Sequence, residues 1–209
     1  MIDYFALLAE PRRPWLDPSS LKQKFLTLSA QFHPDRVHNA SDAEKRRAQE
    51  RYTELNAAYN CLRDPRERLL HLIELERGEK PKQIENIPAD LMNMFLEISQ
   101  LCREADAFLT EKAGVTSPLL QVRIFERAQK LLEKLTASQK EMNSRQEKLI
   151  TELKDLDEGW SVLRNSDSSS RSALLRKLEK LYRLFSYFTR WSGQLQERIV
   201  QLSLGGVAG

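Results

Sequence analysis

The stretch Gln31-Phe32-His33-Pro34-Asp35-Arg36 decides how this chain is read. Before it, Leu21, Phe25, Leu28 and Phe32 recur at helical spacing; after it, Ala48, Tyr52, Leu55, Tyr59 and Leu62 do the same. Steps of three and four place each set on one helical face. Two such helices joined by a short polar link form an antiparallel hairpin. Pro34 has no N–H to give a helix and disfavours helical geometry at His33, so the first helix is expected to end there. His33 and Asp35 are thus predicted at a bend, outside the apolar stripe and facing solvent. An exposed carboxylate on a stiff turn is a good acceptor for a partner's guanidinium.

Taken alone, Asp after proline is more often a helix cap or turn residue than a binding group. The surroundings make the motif specific. Leu21 to Arg36, followed by Leu55-Asn56-Ala57-Ala58-Tyr59-Asn60-Cys61-Leu62-Arg63-Asp64-Pro65, resembles a J domain. J domains are the DnaJ-type modules that stimulate heat-shock ATPase chaperones. The resemblance covers the first third of the chain. It implies that His33, Pro34 and Asp35 are the activating motif, with Arg36 keeping the usual positive charge after it. It also implies that Lys22 and Lys24, on the polar side of the preceding helix, belong to a basic docking face.

The remaining chain reads as helix. Only seven glycines and eight prolines break 209 residues, and long apolar-periodic runs separate them. Asp3 is placed to cap a short helix whose Tyr4, Leu7 and Leu8 are expected to pack on the hairpin. Pro11, Pro14 and Pro18 punctuate the following link, and Asp17-Pro18 opens the next helix. Ser41 with Glu44 has the spacing of a capping box. Lys45, Arg46, Arg47 and Arg51 read as a solvated face balanced by Glu44, Glu50 and Glu54.

After Asp64-Pro65, the leucines of Leu69 to Leu75 are too dense for an exposed helix and predict packing against something beyond the hairpin. A polar, breaker-rich boundary follows. The expected division is a J domain at 1–78, a linker at 79–88, a three-helix bundle at 89–204 and a disordered tail at 205–209. In the bundle, Leu91, Met92, Phe95, Leu96, Ile98, Leu101 and Phe108 form one apolar face. Met142, Leu149, Leu153, Leu156, Trp160 and Leu163 form a second. Leu174, Leu178, Leu181, Phe185, Phe188, Leu195, Ile199 and Leu202 form a third, with residues 165–170 as the loop before it. Their short connections predict an antiparallel bundle. The fold class is therefore all-α: an N-terminal J domain packed on a C-terminal antiparallel three-helix bundle.

This arrangement resembles the HscB type of co-chaperone, which serves iron–sulfur cluster assembly. The matching residues include Asp3-Tyr4-Phe5, Arg68-Leu69-Leu70-His71-Leu72, Leu91-Met92, Leu96-Glu97, Arg176-Lys177-Leu178 and Gln194-Leu195-Gln196-Glu197. The resemblance implies two partners: an ATPase chaperone of the DnaK/HscA class and an iron–sulfur cluster scaffold protein. It places scaffold binding on the first bundle helix, at Leu91, Met92, Leu96, Glu97 and Glu104. The chain departs from the pattern on this helix, which is usually more acidic: Ser99 and Gln100 interrupt it, and only Glu97 and Glu104 remain. It departs again at Lys180, where an aromatic is usual and Tyr182 follows two residues on.

Other classes are disfavoured. The net charge is only +3, from 33 basic and 30 acidic residues, with no block of like charge to bind nucleic acid. Cys61 and Cys102 are isolated, and His33, His38 and His71 lack metal-ligand spacing, so no metal and no cofactor is expected. There is no phosphate-cradling glycine loop and no nucleophile context, which argues against an enzyme. The start lacks a signal sequence and no apolar run approaches a membrane span, so a cytoplasmic protein without a membrane partner is expected. The alternative is a general J-domain co-chaperone with an unrelated coiled-coil client-binding domain. A monomer is expected, since the heptads can close within one bundle.

Overall fold

The computed structural model describes residues 1–33, 36, 41–81, 87–112, 118–162 and 168–204. They form seven helices: α1 (Tyr4–Leu7), α2 (Pro18–Gln31), α3 (Asp42–Arg63), α4 (Pro65–Arg77), α5 (Ala89–Lys112), α6 (Pro118–Val162) and α7 (Ser168–Leu204). No strand occurs among the described residues. The fold is all-α, an N-terminal helical hairpin with flanking helices followed by a helical bundle. The tail 205–209 lies outside the described residues.

Helix starts follow the sequence signals. Asp3 accepts the N–H groups of Phe5 and Ala6. Asp17 accepts Ser20 N–H ahead of Pro18 at the first helical position. Ser41 and Glu44 form a reciprocal capping box. Asp64 ends α3 and caps α4 through Glu67 N–H. Gly78 ends α4 at φ 78°, a left-handed position suited to glycine, and its N–H returns to Glu74 O at 2.8 Å. α7 begins at Ser168, inside the stretch 165–170 read as loop, because serine is as well suited to a helix start as to a turn.

The chain packs as two compact units, Met1–Lys82 with Leu149–Arg183, and Gln83–Lys148 with Leu184–Gly209. In the first unit α2 and α3 are antiparallel. Phe25 stacks on Tyr59 with centroids 4.3 Å apart, and His33 meets Tyr52 edge-on at 5.8 Å. Leu21, Leu55, Ala58 and Leu62 fill the seam. Phe5 on α1 and Leu8 at its cap are buried, whereas Tyr4 and Leu7 are only half-buried. The helix is a single turn, and Tyr4 lies instead over the His71 ring at 4.7 Å.

α4 is buried along most of its length, at Arg68, Leu69, His71, Leu72, Ile73 and Glu74. Its outer edge is ion-paired to α7: Arg77 to Glu179 at 2.8 Å, and Glu76 to Arg171. The dense leucines of this helix thus belong to an element with neighbours on both sides. The first unit also contains a polar clasp. Asp157 on α6, 2% exposed, accepts Arg13 Nε at 3.0 Å, a second Arg13 nitrogen, and the Trp15 N–H at 3.1 Å. Trp160 Nε1 donates to Arg12 O at 2.9 Å. Arg68, 3% exposed, donates to Pro14 O at 2.7 Å and to Leu62 O at 2.6 Å. Burial pushes its pKa down to about 10, which leaves it charged at neutral pH.

In the second unit α5 and α6 run antiparallel, as Arg127–Glu111 at 2.6 Å and Lys134–Glu104 at 3.8 Å require. α5 and α7 run parallel, through Phe95–Trp191 at 6.1 Å and Arg198–Asp106 at 2.9 Å. That is an up-down-up three-helix arrangement. Its core holds Leu91, Ile98, Phe108, Leu131, Leu135 and Trp191. The sequence drew its division at 79–88, of which 82–86 lie outside the described residues.

His71 makes stability depend on pH. Its Nε2 accepts the Tyr4 N–H at 3.1 Å, which requires the neutral ring. Burial lowers its pKa below 6.5 and Arg12 assists, against the opposing carboxylates of Asp3 and Glu74. The folded protein therefore binds fewer protons than the unfolded chain as pH falls through about 6.5. The contribution is intact above that pH and is lost as pH falls toward the folded value. Urea denaturation at pH 7.5 and pH 5.5 should show a larger drop in the parent than in His71→Gln, whose amide oxygen accepts the same bond at either pH. Equal drops would contradict this.

Candidate functional site

His33 follows α2 directly: the helix ends at Gln31, with Phe32 as its cap. His33 is exposed, as is Arg36, whose N–H donates to His33 O at 2.9 Å. Pro34 and Asp35 lie outside the described residues. The structure therefore places the flanks of the motif, His33 and Arg36, at the solvent-facing end of the hairpin.

The two lysines predicted as a basic face behave differently. Lys22 is exposed. Lys24 is held by its own unit: its ammonium donates to Ala9 O at 3.1 Å and pairs with Glu10 at 3.0 Å. Ala9 has φ 52°, an unusual left-handed position for a residue with a side chain. That conformation ends α1 and turns the Ala9 carbonyl and the nearly buried Glu10 carboxylate, 8% exposed, toward Lys24. Nothing in the spacing of α2 foretells this partnership, since it depends on a backbone turn fifteen residues upstream.

The five residues expected on α5 also separate. Leu91 is 4% exposed and belongs to the core. Met92 is 39% and Leu96 54% exposed, one helical turn apart on the outer side. Glu97 is exposed beside them. Glu104 is exposed but engaged, accepting from Gln100 at 3.2 Å and pairing with Lys134. An apolar pair with a carboxylate at its rim has the chemistry of a protein-binding surface. Phe95, between these faces, is half-buried toward Trp191 and was not separable from them by spacing alone.

Other chemistry finds no assembled site. Among the described residues no group of His, Cys, Asp and Glu could hold a metal ion. No described helix is long and apolar enough to cross a membrane. Cys61 donates to Glu67 O at 3.6 Å, and burial pushes its thiol up to about 12; Cys102 is buried in the second unit and its thiol is likewise raised by burial. Both are thiols, not thiolates, at neutral pH, which suits packing rather than ligation.

Residues 3–71 match the family model of the DnaJ domain. A co-chaperone protein HscB homolog of Azoarcus sp. (strain BH72) is 40% identical over 73 residues, covering 35% of this chain and 41% of that protein. The homolog from Chromobacterium violaceum is 32% identical over 106 residues, covering 50% of this chain and 61% of that one. The chain thus spans about two fifths to three fifths of the length of these curated relatives. Among solved structures, human co-chaperone protein HscB is similar with a TM-score of 0.60 at 18% identity, covering 95% of this chain and 81% of that one. The chaperone HscB from Vibrio cholerae is similar with a TM-score of 0.50 at 24% identity, covering 93% and 99%.

Proposed function

We propose that this chain, whose residues 3–71 are a DnaJ domain on an HscB-like fold, is a co-chaperone with two binding surfaces. The first stimulates the ATPase of a heat-shock chaperone of the DnaK/HscA class through His33, Pro34, Asp35 and Arg36, with Lys22 on the preceding helix. The second holds an iron–sulfur cluster scaffold protein on α5, through Met92, Leu96 and Glu97, with Glu104 at the edge. The observation that carries the proposal is the DnaJ-domain match, which spans the hairpin with exposed His33 and Arg36 at its end.

The chain itself performs no chemistry in this account. Accelerating hydrolysis in another protein means shifting that protein between conformations, which requires tighter binding to one of them. Asp35 is assigned the anchoring carboxylate, because a charge-assisted bond to a guanidinium has defined geometry and forms only when the partner presents it. Occupying both surfaces at once would join client delivery to ATP hydrolysis. The protein acts as a cytoplasmic monomer in this reading. A general J-domain co-chaperone with a different client is the second reading. It rests on the DnaJ-domain match alone, which ends at residue 71.

Two measurements test the two surfaces. In steady-state ATPase assays with a purified DnaK-class chaperone, the parent should stimulate hydrolysis. Asp35→Asn should abolish stimulation without shifting the melting temperature; stimulation retained by the variant would overturn the role of the motif. In calorimetric titration with an iron–sulfur scaffold protein, the parent should bind. A Met92→Ser, Leu96→Ser double variant should lose at least about tenfold in affinity, roughly 1.4 kcal/mol. Both positions are exposed, so the variant should keep the parent's melting temperature. No binding by the parent would leave the general co-chaperone reading.

A further inference from the structure

Among the described residues, the exposed large apolar side chains of the second unit fall into two groups. Met92 and Leu96 lie near the start of α5, Val122 and Phe125 near the start of α6, and Val200 near the end of α7. Since α6 runs against α5 and α7 runs with it, the last three gather at the end of the bundle away from Met92 and Leu96. Val122 is 61% and Phe125 57% exposed. With Gln129 and the half-buried Leu132 they follow steps of three, four and three, which makes a seam along α6. The core stripe of the same helix is a different one, Ile124, Leu131, Leu135 and Met142. Charge beside the seam is sorted. Arg123, Arg127, Lys130 and Lys134 form one row in steps of four, three and four, and Arg127 and Lys134 turn that row toward Glu111 and Glu104 of α5. Glu126 and Glu133, seven residues apart, stand next to the seam on another row. Both are exposed, and neither pairs with a described cation. The seam is therefore apolar with an acidic rim.

We propose that this seam on α6 docks a basic amphipathic helix of a partner protein. The partner sets large aliphatic side chains on Val122, Phe125 and Leu132, and lysine or arginine opposite Glu126 and Glu133. A three-four seam is the surface that a second helix packs on, and flanking charges choose which helix that is. Charge selects this occupant over two others. Two copies of the seam paired about a two-fold axis would run antiparallel and set glutamate against glutamate. An anionic lipid surface would meet the same carboxylates. The site is separate from the Met92 and Leu96 surface, so one bundle offers two places for protein partners. The inference stands independently of the co-chaperone function proposed above.

The probe is a synthetic peptide of about five helical turns, with leucine at its heptad a and d positions and lysine at the flanks. A second peptide keeps the leucines and carries glutamate at the flanks. Binding of each to the full-length chain is followed by fluorescence anisotropy. The lysine peptide should bind the parent roughly tenfold more tightly than the glutamate peptide, and added salt should narrow the difference. A Val122→Ser, Phe125→Ser double variant should weaken binding of the lysine peptide by roughly tenfold or more. Glu126→Gln with Glu133→Gln should bring the two peptides close to equal affinity. Met92→Ser with Leu96→Ser should leave both affinities at the parent values. All of these positions are exposed, so every variant should melt with the parent. Absence of binding, equal binding of both peptides by the parent, or binding that survives the Val122 and Phe125 substitutions would overturn the inference. A dimer of the parent in analytical ultracentrifugation that Phe125→Ser dissolves would overturn it in favour of a second copy.

Discussion

One buried carboxylate, Asp157, organises the first unit. A carboxylate that is 2% exposed is tolerable only when it is charge-paired and hydrogen-bonded. Arg13 supplies the charge and Trp15 the backbone donor. The link between α1 and α2 must therefore run past α6 at this point. That course sets the Pro14 carbonyl where Arg68 reaches it, and Arg68 in turn ties down Leu62 O at the end of α3. A chain of polar contacts thus runs from α6 through the link to the α3–α4 corner. Removing Arg13 would leave the Asp157 carboxylate buried without its charge partner, which destabilises the unit.

The consequence is that the DnaJ-like helices do not form a self-contained module. Residues 149–183 of the last two helices complete their packing. Trp160 and Asp157 come from α6, and Arg171 and Glu179 from α7 bind the edge of α4. The hairpin that carries His33 is thereby held by elements distant in sequence. The proposed scaffold surface at Met92 and Leu96 belongs to the second unit. Each surface therefore rests on its own core, with its own buried aromatic and leucine cluster.

Much of this was legible before any coordinates. The hairpin followed from the apolar steps around His33-Pro34-Asp35, and the helix starts at Asp3, Asp17 and Ser41 followed from their capping residues, because capping is local chemistry. The excess of leucine in α4 correctly announced neighbours outside the hairpin. What was missed was tertiary. Asp157 stands four residues after Leu153 and three before Trp160, on the buried stripe of α6. A charge at such a place is a signal, but its partner at Arg13 cannot be read from spacing. Lys24 looked free because its acceptors arise from a left-handed turn at Ala9. Leu91 and Met92 looked alike because a wide apolar face does not say which edge is covered.

The central claim is that the DnaJ-like helices and residues 149–183 open as one cooperative unit held by Asp157. Native-state amide hydrogen exchange of the full-length protein and its Asp157→Asn variant tests it most directly. The account predicts that protection falls together in residues 12–16, in α4 and in residues 149–162, by a similar factor at each, because they share one opening event. A loss of protection confined to residues 149–162, with α1 to α4 exchanging as in the parent, would contradict it.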